Sequence, residues 1–213
     1  MSNVDTVKLN EILLQGCEKL ALDITTEQAD KLTGYVQRID KWNKAYNLTS
    51  VRDPEQMMVK HILDSLAVTR FVSGKRVIDV GTGPGLPGMP LAIMLPDIEF
   101  TLLDSLGKRV RFMKQCAFEL GLTNVTPVHC RVEEHEPAQP YDIVLSRAFA
   151  SLKDMLHWCQ HLVDSSGVFF ALKGQFPQSE IDEVSDHFQI GSVEALSVPD
   201  LTGERHLVTI RKV

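Results

Sequence analysis

A short apolar strand that runs straight into a glycine-rich loop is the feature that most restricts what this chain can become. Arg76-Val-Ile-Asp-Val80 leads directly into Asp79-Val-Gly81-Thr-Gly83-Pro-Gly85-Leu-Pro-Gly88. Glycines at that spacing let the backbone turn tightly after a strand and approach a ligand with no Cβ in the way. About twenty residues further on, a second apolar run, Glu99-Phe-Thr-Leu-Leu103, ends at Asp104, where a carboxylate can accept both hydroxyls of an adenosine ribose. Strand, loop, helix and acid together predict a nucleotide-like ligand at the carboxyl end of a parallel sheet.

The chain after Gly74 continues the alternation. Leu91 to Leu95 reads as helix, Lys108 to Leu120 as helix, Val125 to His129 as strand and Tyr141 to Leu145 as strand. A helix through Leu152, Met155, Leu156 and Leu162 precedes the strand Gly167 to Lys173. Strands alternating with helices imply a doubly wound, mostly parallel α/β sheet with right-handed crossovers. A further helix is expected near Ser179 to Phe188, followed by Ile190 to Val198 and His206 to Ile210 as an antiparallel hairpin. The first 72 residues differ, with apolar positions at helical spacing (Leu9, Ile12, Leu13, Cys17, Leu20). Thr25 to Gln28 has the form of a capping box, and Asp53-Pro54 supplies an N-cap and first-turn proline. The expected organisation is a helical cap over residues 1–72 and a ligand-binding domain over 73–213 as one compact unit.

Composition narrows the function classes. No apolar run exceeds five residues, which is too short for a membrane span, and the N-terminus has no signal-peptide pattern. The cysteines Cys17, Cys116, Cys130 and Cys159 are scattered, so neither a disulfide framework nor a zinc site is expected; no metal is expected, and a reducing cytoplasm fits. A net charge of −6 leaves no global electrostatic footprint for nucleic acid, so any RNA contact must come from a local basic patch.

The loop admits two cofactors. Gly83-Pro-Gly85-Leu-Pro-Gly88 satisfies the dinucleotide pattern G-x-G-x-x-G, which would suit a nicotinamide-dependent oxidoreductase. Asp79, two residues before Gly81, instead completes the D-x-G-x-G-x-G form familiar from S-adenosylmethionine-dependent methyltransferases. Pro84 and Pro87 stiffen a backbone that would otherwise cradle a pyrophosphate, and a terminal strand pair is not the usual ending of a dinucleotide dehydrogenase. S-adenosyl-L-methionine is therefore the expected cofactor, on a class I methyltransferase fold.

Longer stretches carry a more specific resemblance. Lys41-Trp-Asn-Lys-Ala-Tyr-Asn-Leu-Thr-Ser50, Lys60-His-Ile-Leu-Asp-Ser65, Asp79 to Gly88 and Leu102 to Arg109 resemble the bacterial small-subunit ribosomal RNA methyltransferase G family, also called glucose-inhibited division protein B. So do Ser146-Arg-Ala-Phe-Ala-Ser-Leu152, Ala171-Leu-Lys-Gly174 and Gly203-Glu-Arg-His-Leu207. The resemblance implies methyl transfer from S-adenosylmethionine to N7 of a guanine in a decoding-region loop of 16S rRNA, with free rRNA, the small ribosomal subunit or an assembly intermediate as partner. It places cofactor contacts on Gly81, Leu86, Val132, Glu133 and Arg147; Asp79, Gly83 and Asp104 join them from the loop reading. Arg147 follows the fourth strand, and its guanidinium fork suits a carboxylate, a phosphate or a base edge.

Three other clusters admit plainer readings. Lys108, Arg109, Arg111 and Lys114 form either a solvated helix face or a phosphate-contacting patch. Arg38, Lys41, Trp42, Lys44 and Tyr46 can meet RNA, although Trp42 and Tyr46 at i, i+4 spacing also suit a core. His157, Cys159 and His161 have a metal-like spacing with no second ligand pair, which argues against zinc.

Overall fold

The computed structural model describes residues 5–147 and 149–213. The chain opens with two long helices, each started by a side chain that satisfies a free N–H of the first turn. Helix α1 (Thr6–Lys19) is capped by Asp5, which accepts from Lys8 N–H. Helix α2 (Thr26–Tyr46) begins with a reciprocal box: Thr25 Oγ1 accepts from Gln28 N–H, and Gln28 Oε1 accepts from Thr25 N–H. Such a cap is worth about 1 kcal/mol. Helix α2 stops at Asn47, whose left-handed backbone (φ 48°) cannot continue it. Helix α3 (Pro54–Met57) has Asp53 at its cap and proline in its first turn. It widens into a π turn, Met58–Leu63, before one last turn, α4 (Asp64–Leu66). The widened segment buries His61, and α4 buries Asp64 and Ser65.

The sheet follows. Its strands are β1 (Arg76–Val80), β2 (Glu99–Asp104), β3 (Val125–His129), β4 (Ile143–Ser146), β5 (Val168–Lys173), β6 (Phe188–Ala195) and β7 (His206–Lys212). Their order is β3-β2-β1-β4-β5-β7-β6, with β1 to β5 parallel and β7 antiparallel to both β5 and β6. This is the doubly wound sheet with a terminal hairpin that the sequence predicts. Order reverses between β1 and β4, the point at which open α/β sheets hold ligands beyond their carboxyl ends.

Side-chain alternation along the strands feeds two cores. Val77, Phe100, Leu102, Ile143 and Leu145 face one way, towards α1, α2, the π turn, α5 (Gly88–Met94) and α6 (Gly107–Glu119). Ile78, Val80, Leu103, Val144 and Phe169 face the other, towards α7 (Leu152–Cys159), with Ile181 of α8 (Gln178–Asp182) packed alongside. The N-terminal helices thus share a core with one face of the sheet.

Two elements differ from expectation. The helix foreseen near Ser179 to Phe188 is only the five-residue α8, because Phe188 is taken as the first residue of β6, its ring edge-on to Phe169 of the sheet. The fourth strand starts at Ile143 and not at Tyr141. Tyr141 turns its ring out of the ladder, donating its hydroxyl to Thr101 and meeting His135 Nε2 at 2.9 Å.

Candidate cofactor and acceptor site

The loop after β1 is built around two buried carboxylates. It turns through positive φ at Gly81, Gly83 and Gly85 (68°, 63° and 104°), a region closed to most side chains. Asp79, fully buried on β1, accepts from Thr82 Oγ1 at 2.6 Å and from Gly88 N–H at 2.8 Å, so one Oδ atom fastens both ends of the loop. Its other oxygen has no partner. Burial pushes the carboxyl up to about 6, against the Thr82 and Gly88 bonds and the Arg147 charge, which pull it down. Asp104, at the end of β2, accepts from Gly83 N–H at 2.9 Å and Leu106 N–H at 2.8 Å, and pairs with Arg109 at 3.2 Å.

The glycines do different jobs. A Cβ on Gly83 would meet nothing within 4 Å, so its Cα faces open space beside the loop. A Cβ on Gly88 would collide with Leu102 Cδ2 and Asp79. Gly83 leaves room for a ligand, whereas Gly88 lets α5 approach the sheet.

Beside the loop lies a cleft of about 200 Å³ lined by Val80, Gly81, Leu103, Ser105, Val132 and Glu133, among others. Its walls come from the carboxyl ends of β1 and β2 and from the 3₁₀ turn Val132–Glu134 that follows β3. Larger grooves exist, including one of about 460 Å³ between α7 and the start of β6, but they lack the loop. The cleft fits an adenosyl group: apolar walls for the base from Val80, Leu103 and Val132, a polar edge at Glu133, and an acid at the adjoining end of β2. Asp104 has three of its roughly four lone-pair positions occupied, so it both braces the loop and retains capacity for a ribose hydroxyl. The structure thus gathers Gly81, Val132 and Glu133 in one cleft and sets Asp104 beside it, while Asp79 lies beneath the loop as its fastener. Leu86, buried at 3% exposure, packs in the loop's core.

Arg147 leaves the end of β4, the neighbour of β1 across the switch point. Its Nη1 lies 3.2 Å from Asp64 Oδ2, and Arg205 Nε lies 2.9 Å from Asp64 Oδ1. Each arginine side chain is about one-third exposed (32% and 31%), whereas that of Asp64 is 9% exposed, so a buried acid holds two guanidiniums at a surface. His61, one helical turn earlier, meets Thr49 Oγ1 at 2.8 Å through Nε2, and its Nδ1 has no partner. Burial and the Arg147 charge push its imidazole down to about 4, leaving it neutral near pH 7. From the opposite side, buried Tyr35 of α2 donates its hydroxyl to Pro84 O at 2.7 Å, so a helix of the N-terminal segment holds the loop. Asp64, Arg205, His61 and Tyr35 were not singled out by sequence reading. Three of them lie in or beside the stretches that carry the family resemblance, but one sequence does not show which residue in a stretch reaches the site.

The family described as rRNA small subunit methyltransferase G matches residues 28–208. The chain belongs to this family. The ribosomal RNA small subunit methyltransferase G of Alteromonas mediterranea is 68% identical over 205 residues, spanning 96% of this chain and 97% of that protein. That of Vibrio atlanticus is 60% identical over 192 residues, spanning 90% and 91%. Among solved structures, TrmN from Thermus thermophilus superposes with a TM-score of 0.55 at 17% identity, over 70% of this chain and 48% of that one. TYW2 of P. horikoshii, in complex with MeSAdo, gives 0.55 at 9% identity, over 71% and 62%. At such identities these likenesses speak for the fold alone, which is that of class I methyltransferases. The methyltransferase G family and this fold make the chain an S-adenosylmethionine-dependent methyltransferase, and the dinucleotide alternative falls.

The basic and aromatic clusters divide. Trp42 packs on Phe112 and Tyr46 (centroids 5.4 and 5.1 Å apart), so the core reading holds for it. Lys108 donates to Tyr46 O at the end of α2, and Arg109 is paired with Asp104. Arg111 and Lys114 lie on the exposed side of α6.

Proposed function

We propose that this chain transfers the methyl group of S-adenosylmethionine to N7 of a guanine in a decoding-region loop of 16S rRNA, in the cytoplasm where small subunits are made. The observation that carries the reading is the pair Arg147 and Arg205 held on Asp64 at the carboxyl end of β4, next to the glycine loop. Asp79, Gly81, Gly83, Leu86, Asp104, Val132 and Glu133 form the donor side; the two arginines and His61 form the acceptor side.

The bound cofactor supplies an electrophilic methyl group on a sulfonium sulfur. Guanine N7 carries an available lone pair and no proton, so no side chain has to act as a base. What the chain contributes is orientation, which supplies roughly 7–11 kcal/mol in well-aligned systems. A guanidinium fork fixed by a buried carboxylate presents donors in a set plane, suited to a base edge or a phosphate. His61, uncharged above about pH 4, adds no charge beside them.

The test uses tritiated methyl donor and small-subunit particles from a strain lacking this modification. Label recovered as 7-methylguanosine after nuclease digestion supports the reading, and label in another nucleoside or in protein overturns it. With both substrates bound, single-turnover rates are expected to change little between pH 6.5 and 8.5 (our chosen window). Arg147→Lys loses activity without gaining pH dependence. A single-proton rise in rate that disappears with His61→Gln would make His61 a base and move the acceptor away from N7.

A further inference from the structure

Resting on the proposed rRNA substrate, we propose that the exposed face of α6 is a track along which single-stranded rRNA leaves the methyl-transfer site, its phosphates on Lys108, Arg111 and Lys114 and a base stacked on Phe118. Helix α6 carries Lys108, Arg109, Arg111 and Lys114 against one acid, Glu119, in a chain whose net charge is −6. The buried residues Val110, Phe112, Met113, Cys116 and Ala117 fix which side meets the sheet. The exposed positions 108, 111, 114, 115, 118 and 119 lie on the opposite side at helical spacing and form one solvent stripe.

The acid on that stripe is already neutralised. Glu119 accepts from Arg38 Nε and Gln115 Nε2, both at 2.6 Å. Lys41 of α2 stands close enough to lower its carboxyl further, after those two bonds. Lys108 gives one of three ammonium donors to Tyr46 O, which leaves two for a phosphate.

The far end of the stripe is Phe118, 84% exposed. A lone exposed apolar side chain needs no explanation; this one ends a row of cations. The near end adjoins Asp104 and so the cofactor. At 1.5 Å per residue, Lys108 and Phe118 lie about 15 Å apart, a few nucleotides of a strand. Cations following a backbone and an aromatic platform for an unstacked base are the two parts of a sequence-tolerant single-strand site.

The experiment compares the parent, the pair Arg111→Glu with Lys114→Glu, and Phe118→Ala with Phe118→Trp as its rescue. Direct binding to protein-free 16S rRNA and to unmodified small subunits is measured across a salt series, methyl-donor affinity by calorimetry, and methyl transfer separately. Charge reversal should weaken binding by roughly 10-fold or more. It should also make the log–log salt slope shallower by about 1.4, at about 0.7 for each phosphate no longer neutralised, with donor affinity and melting temperature unchanged. Phe118→Ala should lose severalfold and Phe118→Trp restore it. A photo-crosslinking benzoylphenylalanine at position 118 should label 16S rRNA in the particle. Unchanged binding and slope, or crosslinks to ribosomal protein alone, overturn the track. A parent that binds rRNA through this face but forms no 7-methylguanosine would overturn the proposed function and leave the track standing.

Discussion

Gly83 and Gly88 look interchangeable in the sequence and are opposites in the structure. Because Gly83 faces open space at φ 63° and Gly88 faces Leu102 and Asp79, Gly83→Val should cost only left-handed backbone strain of about 1–3 kcal/mol, stay folded and lose methyl-donor binding. Gly88→Ala should instead destabilise by about 1–3 kcal/mol through overpacking. Calorimetry and chemical denaturation on both variants test this; a normally binding Gly83→Val would remove the loop from the cofactor site. Asp79 gives a second residue-scale expectation. Unfolded, it titrates near 3.8; folded, near 6. Between those values the folded chain holds the extra proton, so this group's contribution to stability is fully present below about 4. It is lost as pH rises to 6 and is level above that, a change on the order of 3 kcal/mol. Asp79→Asn should therefore gain on the parent from pH 4.5 to 7 in urea denaturation, and a difference constant with pH would mean an ionised carboxyl throughout. Spacing made Asp79 legible as part of the loop. It did not show that its carboxylate fastens the loop from beneath, because hydrogen-bond direction depends on where α5 docks.

At the scale of elements, local signals carried furthest where they were complete. The Thr25–Gln28 box, the Asp53-Pro54 start and the apolar run of β1 each specify their element within a few residues, and the structure places all three as read. The segment from Ser179 failed because its helical pattern competed with pairing to β7, and the non-local ladder won at Phe188. The contact between α2 and the loop was invisible for a similar reason: Tyr35 and Pro84 are 49 positions apart. Removing that hydroxyl leaves a buried carbonyl without its donor, which costs about 1–3 kcal/mol. Tyr35→Phe is expected to lower stability by that amount and weaken methyl-donor affinity together. Unchanged affinity would show that the loop keeps its shape without the helix above it.

Over the described residues, the helices up to residue 72 and the sheet that follows differ in architecture, yet Leu32, Val36, Met57 and Leu63 share a core with Leu86, Phe100 and Phe112. We propose that the division is one of topology and not of stability. Calorimetry should give one unfolding transition with equal van't Hoff and calorimetric enthalpies, and a separate low-temperature step for the helical segment would refute this. Most of the fold was legible because strand and helix periods are local. The acceptor side was not, because Asp64 meets Arg147 across 83 positions and Arg205 across 141. Those separations bear on how the protein is made. The Gly83–Asp104 bond spans 21 positions and closes early in a chain that emerges N-terminus first. Asp64 must wait for the last strand before it holds both arginines, and until then β5 presents an unpaired edge. On the proposed assignment of the two sides, a nascent chain thus acquires a place for its methyl donor well before it can hold anything to methylate.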